Sequence, residues 1–421
     1  MRKSVTVISF AILIAIIILS GCVSSGSTAR TAPASARNSP STELLIQDLY
    51  SHDAGVNERA IAALGVRKDE QAIDPLIKIL KEEKNEIVRN LAAIALGKIG
   101  NKRAVEPLIQ TMNNDVYWIR APAATALGDI GDKQAVDALL LSLKNDNNSM
   151  VRTEATLALG KIGDKRAVDA ILLSLKNDDS YKVREAAATA LGNIGDTRAV
   201  DPLINTLRTD TLWCGPAAAT ALGEIGDPKA INPLIEKLDK IDKSADALAK
   251  FGTPAVDPLI ASLDGDGKLG AARALGLIKD KKAVKPLIEQ LHPLKSYGSD
   301  GLSFHEVDCR REIVKALGLI GPDAKDAVPT LIDIIKTPAE RKTYTVKGSV
   351  PVGAPRAAYS GFEIPMYEGG IGINLGAAQE AIVALGEIGD SRAVPALTEL
   401  LKDENPTIQA ASKDALKKIN G

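Results

Sequence analysis

The tripeptide Ala-Leu-Gly returns along this chain with its glycine at 65, 97, 128, 160, 192, 223, 276, 318 and 386. The first five of these glycines after Gly65 are almost evenly spaced. A degenerate copy, Ala247-Leu248-Ala249, divides the gap between Gly223 and Gly276, and a last one, Ala415-Leu416-Lys417, comes one period after Gly386. A period near 31 over about eleven units is the mark of a solenoid, in which each unit covers only its neighbours.

Within a unit the apolar residues fall at helical spacing. Val200, Leu203, Ile204 and Leu207 stand at i, i+3, i+4 and i+7 and predict a first amphipathic helix. Val183, Ala187, Ala190, Leu191 and Ile194 predict one face of a second. Gly163-Asp164, Gly195-Asp196 and Gly226-Asp227 punctuate the units. The glycine suits the left-handed C′ position, and the aspartate can cap the next helix. Proline recurs early in the first helix at 75, 107, 202, 233, 258 and 286, where it should start the helix proper or kink it.

The stretch from Val183 to Ile204 resembles the HEAT repeat of the PBS-lyase-like subfamily almost throughout. The resemblance extends over roughly 41–421 and implies an all-α, right-handed α-solenoid of about eleven helical pairs. It carries less about function. The subfamily holds bilin lyase subunits, metal hydroxylases and plain scaffolds, and fold does not choose among them.

Ahead of the repeats, Arg2 and Lys3 precede an apolar run from Val5 to Leu19 that ends in Leu19-Ser20-Gly21-Cys22. The run is shorter than the roughly 20 residues of a membrane span, and small residues stand at the end of it. It resembles a lipoprotein signal, which implies that 1–21 is removed and Cys22 carries lipid. The Ser-, Ala- and Thr-rich stretch over 22–40 lacks apolar periodicity and is expected to be a flexible linker. These features place the protein outside the cytoplasm, lipid-anchored to the cell membrane.

Lys plus Arg number 52 and Asp plus Glu 53, so the basic excess of a nucleic-acid binder is missing. Neither a Walker loop nor a Gly-x-Ser-x-Gly motif occurs. Gly370 to Gly376 approaches a dinucleotide fingerprint, but its last spacing is one residue too long; a loop leading into a helix is the expectation. Three histidines leave few metal ligands. The related hydroxylases carry several His-Glu pairs around di-iron, whereas only His305-Glu306 stands here, with His52 before Asp53 and His292 before Pro293. A bilin lyase would need pigment-protein clients, which an exported lipoprotein does not normally meet. The reading is therefore of a non-enzyme without metal or cofactor. Cys214 and Cys309 stand where other units carry Val or Ile, as small core hydrophobes.

Arg89, Arg120, Arg152, Arg184 and Arg310 all lie eight residues before a repeat glycine, and the first four should form a column across consecutive units. One reading is an anion-binding stripe. The other, preferred, is an internal structural ladder: Glu83, Asp146 and Asp178 each lie six residues before an Arg, and HEAT proteins tie neighbouring repeats together with an Asp and an Arg.

Two units break the period, with extra residues near 293–305 and 337–371, both between the first and second helix and hence on one edge. The longer insertion is expected to form a small hairpin or an ordered loop. Of thirteen aromatic residues, ten map to such turns or insertions: Tyr117, Trp118, Tyr181, Trp213, Tyr297, Phe304, Tyr344, Tyr359, Phe362 and Tyr367. Exposed aromatics on a ridge are typical binding anchors, so this edge is the candidate site for a protein partner. The alternatives are an enzyme or enzyme subunit of the lyase or hydroxylase kind, and a small-ligand or glycan binder using the aromatic insertion. A further possibility for 337–371 is that its aromatics form a local mini-core.

Overall fold

A computed structural model describes residues 40–51, 53–291, 304–337, 343–346, 366–367, 370–374 and 377–421. Among them the helices fall into eleven pairs, from Thr42–Asp48 with Ala54–Arg67 to Val394–Glu399 with Pro406–Asn420. The best-formed units lie between Ile73 and Ile194. There a first helix of 10 residues, such as Val168–Asn177, is followed by a second of 14, such as Tyr181–Ile194. Each second helix packs on its own first helix and on the second helices of both neighbouring units. Thr42–Gly421 holds together as one unit.

The sequence places one buried face on each second helix, but the structure buries more. In Tyr181–Ile194, Ala186 and Ala188 are also buried, because neighbours press on both flanks. That enclosure explains the alanine content. It also explains the repeat tripeptide itself. A Cβ added to Gly65, Gly97, Gly128, Gly160, Gly192, Gly223, Gly276, Gly318 or Gly386 would stand 2.6–2.9 Å from the Cα of the equivalent alanine in the next unit. Ala-Leu-Gly is thus a docking element. Its glycine receives the following repeat's alanine at backbone distance, and its leucine fills the core, with Leu96, Leu127, Leu159 and Leu191 fully buried.

The punctuating glycine ends the second helix in the left-handed region, at φ +72° for Gly131 and +70° for Gly195. The next residue caps a 3-10 turn: Asp164 Oδ1 accepts from the Arg166 N–H and Asp196 Oδ1 from the Arg198 N–H, both at 3.0 Å. Most of the recurring prolines stand at the third residue of the first helix, where no intrahelical donor is required. Pro258 lies further inside Thr253–Ala261. Lys68 and Lys279 hold the C′ position without glycine, at φ +56° and +61°. Replacing Lys279 with Gly should raise the unfolding free energy by about 0.5–1 kcal/mol, since the left-handed strain of an L side chain exceeds glycine's extra chain entropy. Urea denaturation of the variant checks this; an unchanged or lower midpoint would show the strain to be relieved already.

The 337–371 insertion departs from an all-helical chain. Three short strands, β1 Thr343–Val346, β2 Met366–Tyr367 and β3 Gly370–Asn374, form an antiparallel sheet in the order β1-β3-β2. Tyr344 pairs with Ile373 and Tyr367 with Gly370. The expectation of a loop at Gly370 is corrected: Ile371 and Ile373 alternate with small residues at strand period, and in register they stand opposite Val346 and Tyr344 of β1. The insertion therefore runs past 371 to the helix beginning at Ala378. The shorter insertion ends sooner than 305, since Phe304 begins the helix Phe304–Ile320.

Candidate partner-binding edge

The turns between first and second helices line one edge of the solenoid, and an arginine ladder holds them together. Arg89 Nε and Nη2 donate to the two carboxylate oxygens of Asp115 at 2.9 and 2.8 Å. Arg120 repeats this on Asp146, and Arg152 on Asp178, with the same distances. In each rung Nη1 turns the other way, to a backbone carbonyl of its own turn: Glu83, Asp115 and Asp146 respectively. One guanidinium therefore closes its own unit and grips the next.

The carboxylate partner is not the acidic residue six before the arginine, as the sequence spacing suggests, but the one that opens the equivalent turn of the next unit. The side chain points along the stack, and the earlier residue contributes only its carbonyl. Burial pushes the Asp115 carboxyl up, but the Arg89 guanidinium and the Val116 N–H outweigh it and hold it below the usual carboxylate range. Asp178 is likewise opposed by burial and lowered by Arg152 and the Ser180 N–H. These guanidinium groups are committed to protein carboxylates, which leaves no anion-binding stripe along the first three rungs.

The fourth rung differs. Arg184 Nη1 donates to the carbonyls of Asp178 at 2.8 Å and Asp179 at 3.3 Å, but it forms no ion pair with Asp210, the residue at the matching position of the next unit. The turn after Asp210 is built otherwise. Its carboxylate accepts from the Trp213 N–H at 2.9 Å, and the backbone there is neither helical nor extended. Cys214, buried, sits beside Arg184 and Asp210, and burial pushes its thiol up to about 11. Its Sγ donates to the Tyr181 carbonyl at 3.8 Å. Such a thiol is unreactive at neutral pH. Cys309 is buried as well and takes part in no disulfide.

Along this edge large apolar side chains lie open in consecutive units: Ile87, Tyr117, Met150, Tyr181, Leu212 and Trp213. Tyr181 and Trp213 pack ring to ring across a unit boundary, with centroids 4.8 Å apart and planes tilted by 44°. Trp118 is half-buried, and its carbonyl accepts from Asn90 Nδ2 at 2.7 Å. The backbone of Tyr344 lies on β1 and that of Tyr367 on β2. Cys22, Tyr297, Tyr359 and Phe362 lie outside the described residues, as do residues 1–39, over which the signal and most of the linker are expected. Among the described residues no helix is long and apolar enough to cross a membrane.

Aromatic density at the turns was legible in the sequence. The pairing of each Arg with an Asp of the next unit was not, although its signal, an acidic residue opening each turn, was present. A second pair, Arg311 with Glu380 across the long insertion, left no periodic trace; Nε donates at 2.9 Å.

The sequence model for HEAT repeats matches residues 42–125, 117–179, 168–244 and 376–421. No curated protein sequence matches the chain. Among solved structures, the complex of CpcE and CpcF of phycocyanin lyase from Nostoc sp. PCC7120 is 26% identical, with 55% of this chain and 97% of that one covered and a TM-score of 0.38. Human deoxyhypusine hydroxylase, solved with glycerol, is 19% identical over 85% of this chain and 99% of that one, with a TM-score of 0.29. The karyopherin Kap121p, bound to the extreme C-terminus of the protein phosphatase Cdc14p, is 12% identical with a TM-score of 0.55. There 90% of this chain matches 45% of the karyopherin. That likeness shows the solenoid fold.

Proposed function

Because the chain belongs to the HEAT-repeat family, we propose that it is a non-catalytic scaffold that binds a protein partner along the helix-turn edge. In this reading lipid on Cys22 holds it to the outer face of a membrane. The observation that carries the partner reading is the succession of exposed apolar side chains at the turns of five consecutive units, from Ile87 to Trp213. An open apolar side chain repeated at the same place in five neighbouring units, two of them in ring contact, is apolar ground that a monomeric surface rarely keeps without a use. The long insertion emerges on the same edge, so a partner spanning several units would meet both.

Two measurements test the proposal. Deleting 344–369 with a short Gly-Ser closure should leave the thermal midpoint of the solenoid unchanged and abolish recovery of the partner from native membranes by pull-down and mass spectrometry. An unfolded product would make the insertion a structural element, and full recovery would move the partner elsewhere. Cys22→Ser should release the protein from membranes or leave it unprocessed. Stable anchoring takes two acyl chains or an equivalent lipid, so the intact mass of the native protein should exceed that of the chain from Cys22 by that amount. An unmodified chain still beginning at Met1 would end the lipid-anchor reading.

A further inference from the structure

The ladder shows what its arginines are shaped to hold. In three rungs the Nε and Nη2 donors grip one carboxylate in a planar, bidentate fit, while Nη1 anchors the guanidinium to its own turn. At Arg184 the anchor is intact, with Nη1 on the Asp178 carbonyl at 2.8 Å, but the carboxylate is missing. Asp210 has turned to its own backbone, and among the described residues no other carboxylate pairs with Arg184. The Cys214 thiol beside it is a poor acceptor. Arg184 is half-buried, so the donors that meet the Cys214 sulfur rather than a carboxylate are shielded from much of the solvent.

Around this rung stands the most open apolar group of the edge. Leu212 is 79% exposed, Trp213 57% and Tyr181 36%, and the two rings are packed together. Tyr181 opens the helix that carries Arg184, one turn before it, and Trp213 belongs to the turn that displaced Asp210. A pre-anchored arginine beside stacked aromatics has the composition of an interface hot spot.

We propose that the Arg184 rung is completed by a protein partner, which inserts an Asp or Glu carboxylate where the other rungs hold Asp115, Asp146 and Asp178, and lays an adjacent aromatic or aliphatic side chain on Tyr181, Leu212 and Trp213. This rests on the reading of the edge as a partner surface and names the chemistry of the segment that docks there. A singly charged, planar carboxylate fits better than a doubly charged phosphate, because Asp210 remains nearby and would repel the second charge.

The test is selection of a random peptide library displayed on phage against the whole repeat array, followed by measured binding of the enriched peptides as synthetic chains. The expected peptides share an Asp or Glu next to a large apolar residue. Changing that Asp to Asn, or Glu to Gln, in the peptide should weaken binding about tenfold or more on the unaltered protein, which keeps the test independent of how any variant folds. Arg184→Gln should lose binding to the same degree, Arg184→Lys most of it for want of the planar fork, and Trp213→Ala should weaken it too. Enriched peptides that need Trp213 but neither a carboxylate nor Arg184 would overturn the proposal while leaving the edge as a partner surface. Peptides insensitive to both Arg184 and Trp213, or no enrichment above the naive library, would overturn both. A phosphoserine peptide binding more tightly than its Asp counterpart would overturn the choice of carboxylate.

Discussion

Gly160→Ala is expected to destabilise the array by about 2–3 kcal/mol, and Gly160→Val by more, in a position where a surface helix would gain from either change. The added Cβ would lie 2.6 Å from the Cα and 2.7 Å from the Cβ of Ala190 in the next unit. The atom met is backbone in a helix that is itself clamped by the following repeat, so no side chain can swing aside. Relief requires the two second helices to separate, which would lengthen the neighbouring contacts of Ala158 and Leu159, both buried. Denaturation of the variant by urea, followed by helix content, measures the loss. The unit formed by Lys243–Phe251 provides an internal comparison, because it carries Ala249 where other units have this glycine. Ala249→Gly should therefore do no more than add glycine's ordinary helix penalty of about 1 kcal/mol. If Gly160→Ala costs no more than that, close backbone contact is not what the tripeptide is for.

How much of this was readable beforehand varies with the range of the interaction. Helix pairs, glycine stops and aspartate caps depend on neighbouring residues, and the repeat period displays them directly. The purpose of Gly in Ala-Leu-Gly depends on a contact with the next unit, so the pattern shows that it recurs without showing what it meets. The same holds for the ladder. Arg89 and Asp115 belong to different units, and acidic residues are frequent enough in the turns that the nearer Glu83 was an equally good candidate on spacing. The altered rung at Arg184 is hidden further, since Asp210 occupies the expected position and only the backbone of its turn sends the carboxylate elsewhere. In the long insertion, strand-like alternation over Gly370–Asn374 was obscured by its glycines, which read equally as a turn.

Breaking one rung of the ladder should also be costly, and in a way that depends on pH. Asp115→Asn keeps a side-chain acceptor for the Val116 N–H, which the carboxylate now binds at 2.8 Å, but removes the charge gripped by Arg89. The pair is largely buried, with side chains 16% and 15% exposed, so the arginine is left with a partly desolvated, uncompensated charge. The expected loss is about 1.5–3 kcal/mol, the worth of hydrogen bonds to a charged group discounted for residual solvent. Replacing both partners, Arg89→Met with Asp115→Leu, should cost less than the single change, because no stranded charge remains. The acid behaviour gives an independent readout. The Asp115 carboxyl is held below its ordinary range when folded, opposed by burial and lowered by Arg89. Its contribution is therefore fully present above the unfolded carboxylate pKa, near 4, and is lost as pH falls through the lower folded value. Stability curves of the parent and of Asp115→Asn should converge as pH drops below about 4. A constant gap between them from neutral pH into that acid range would mean that the carboxylate charge contributes nothing, and that Asp115 acts only as a cap for its own turn.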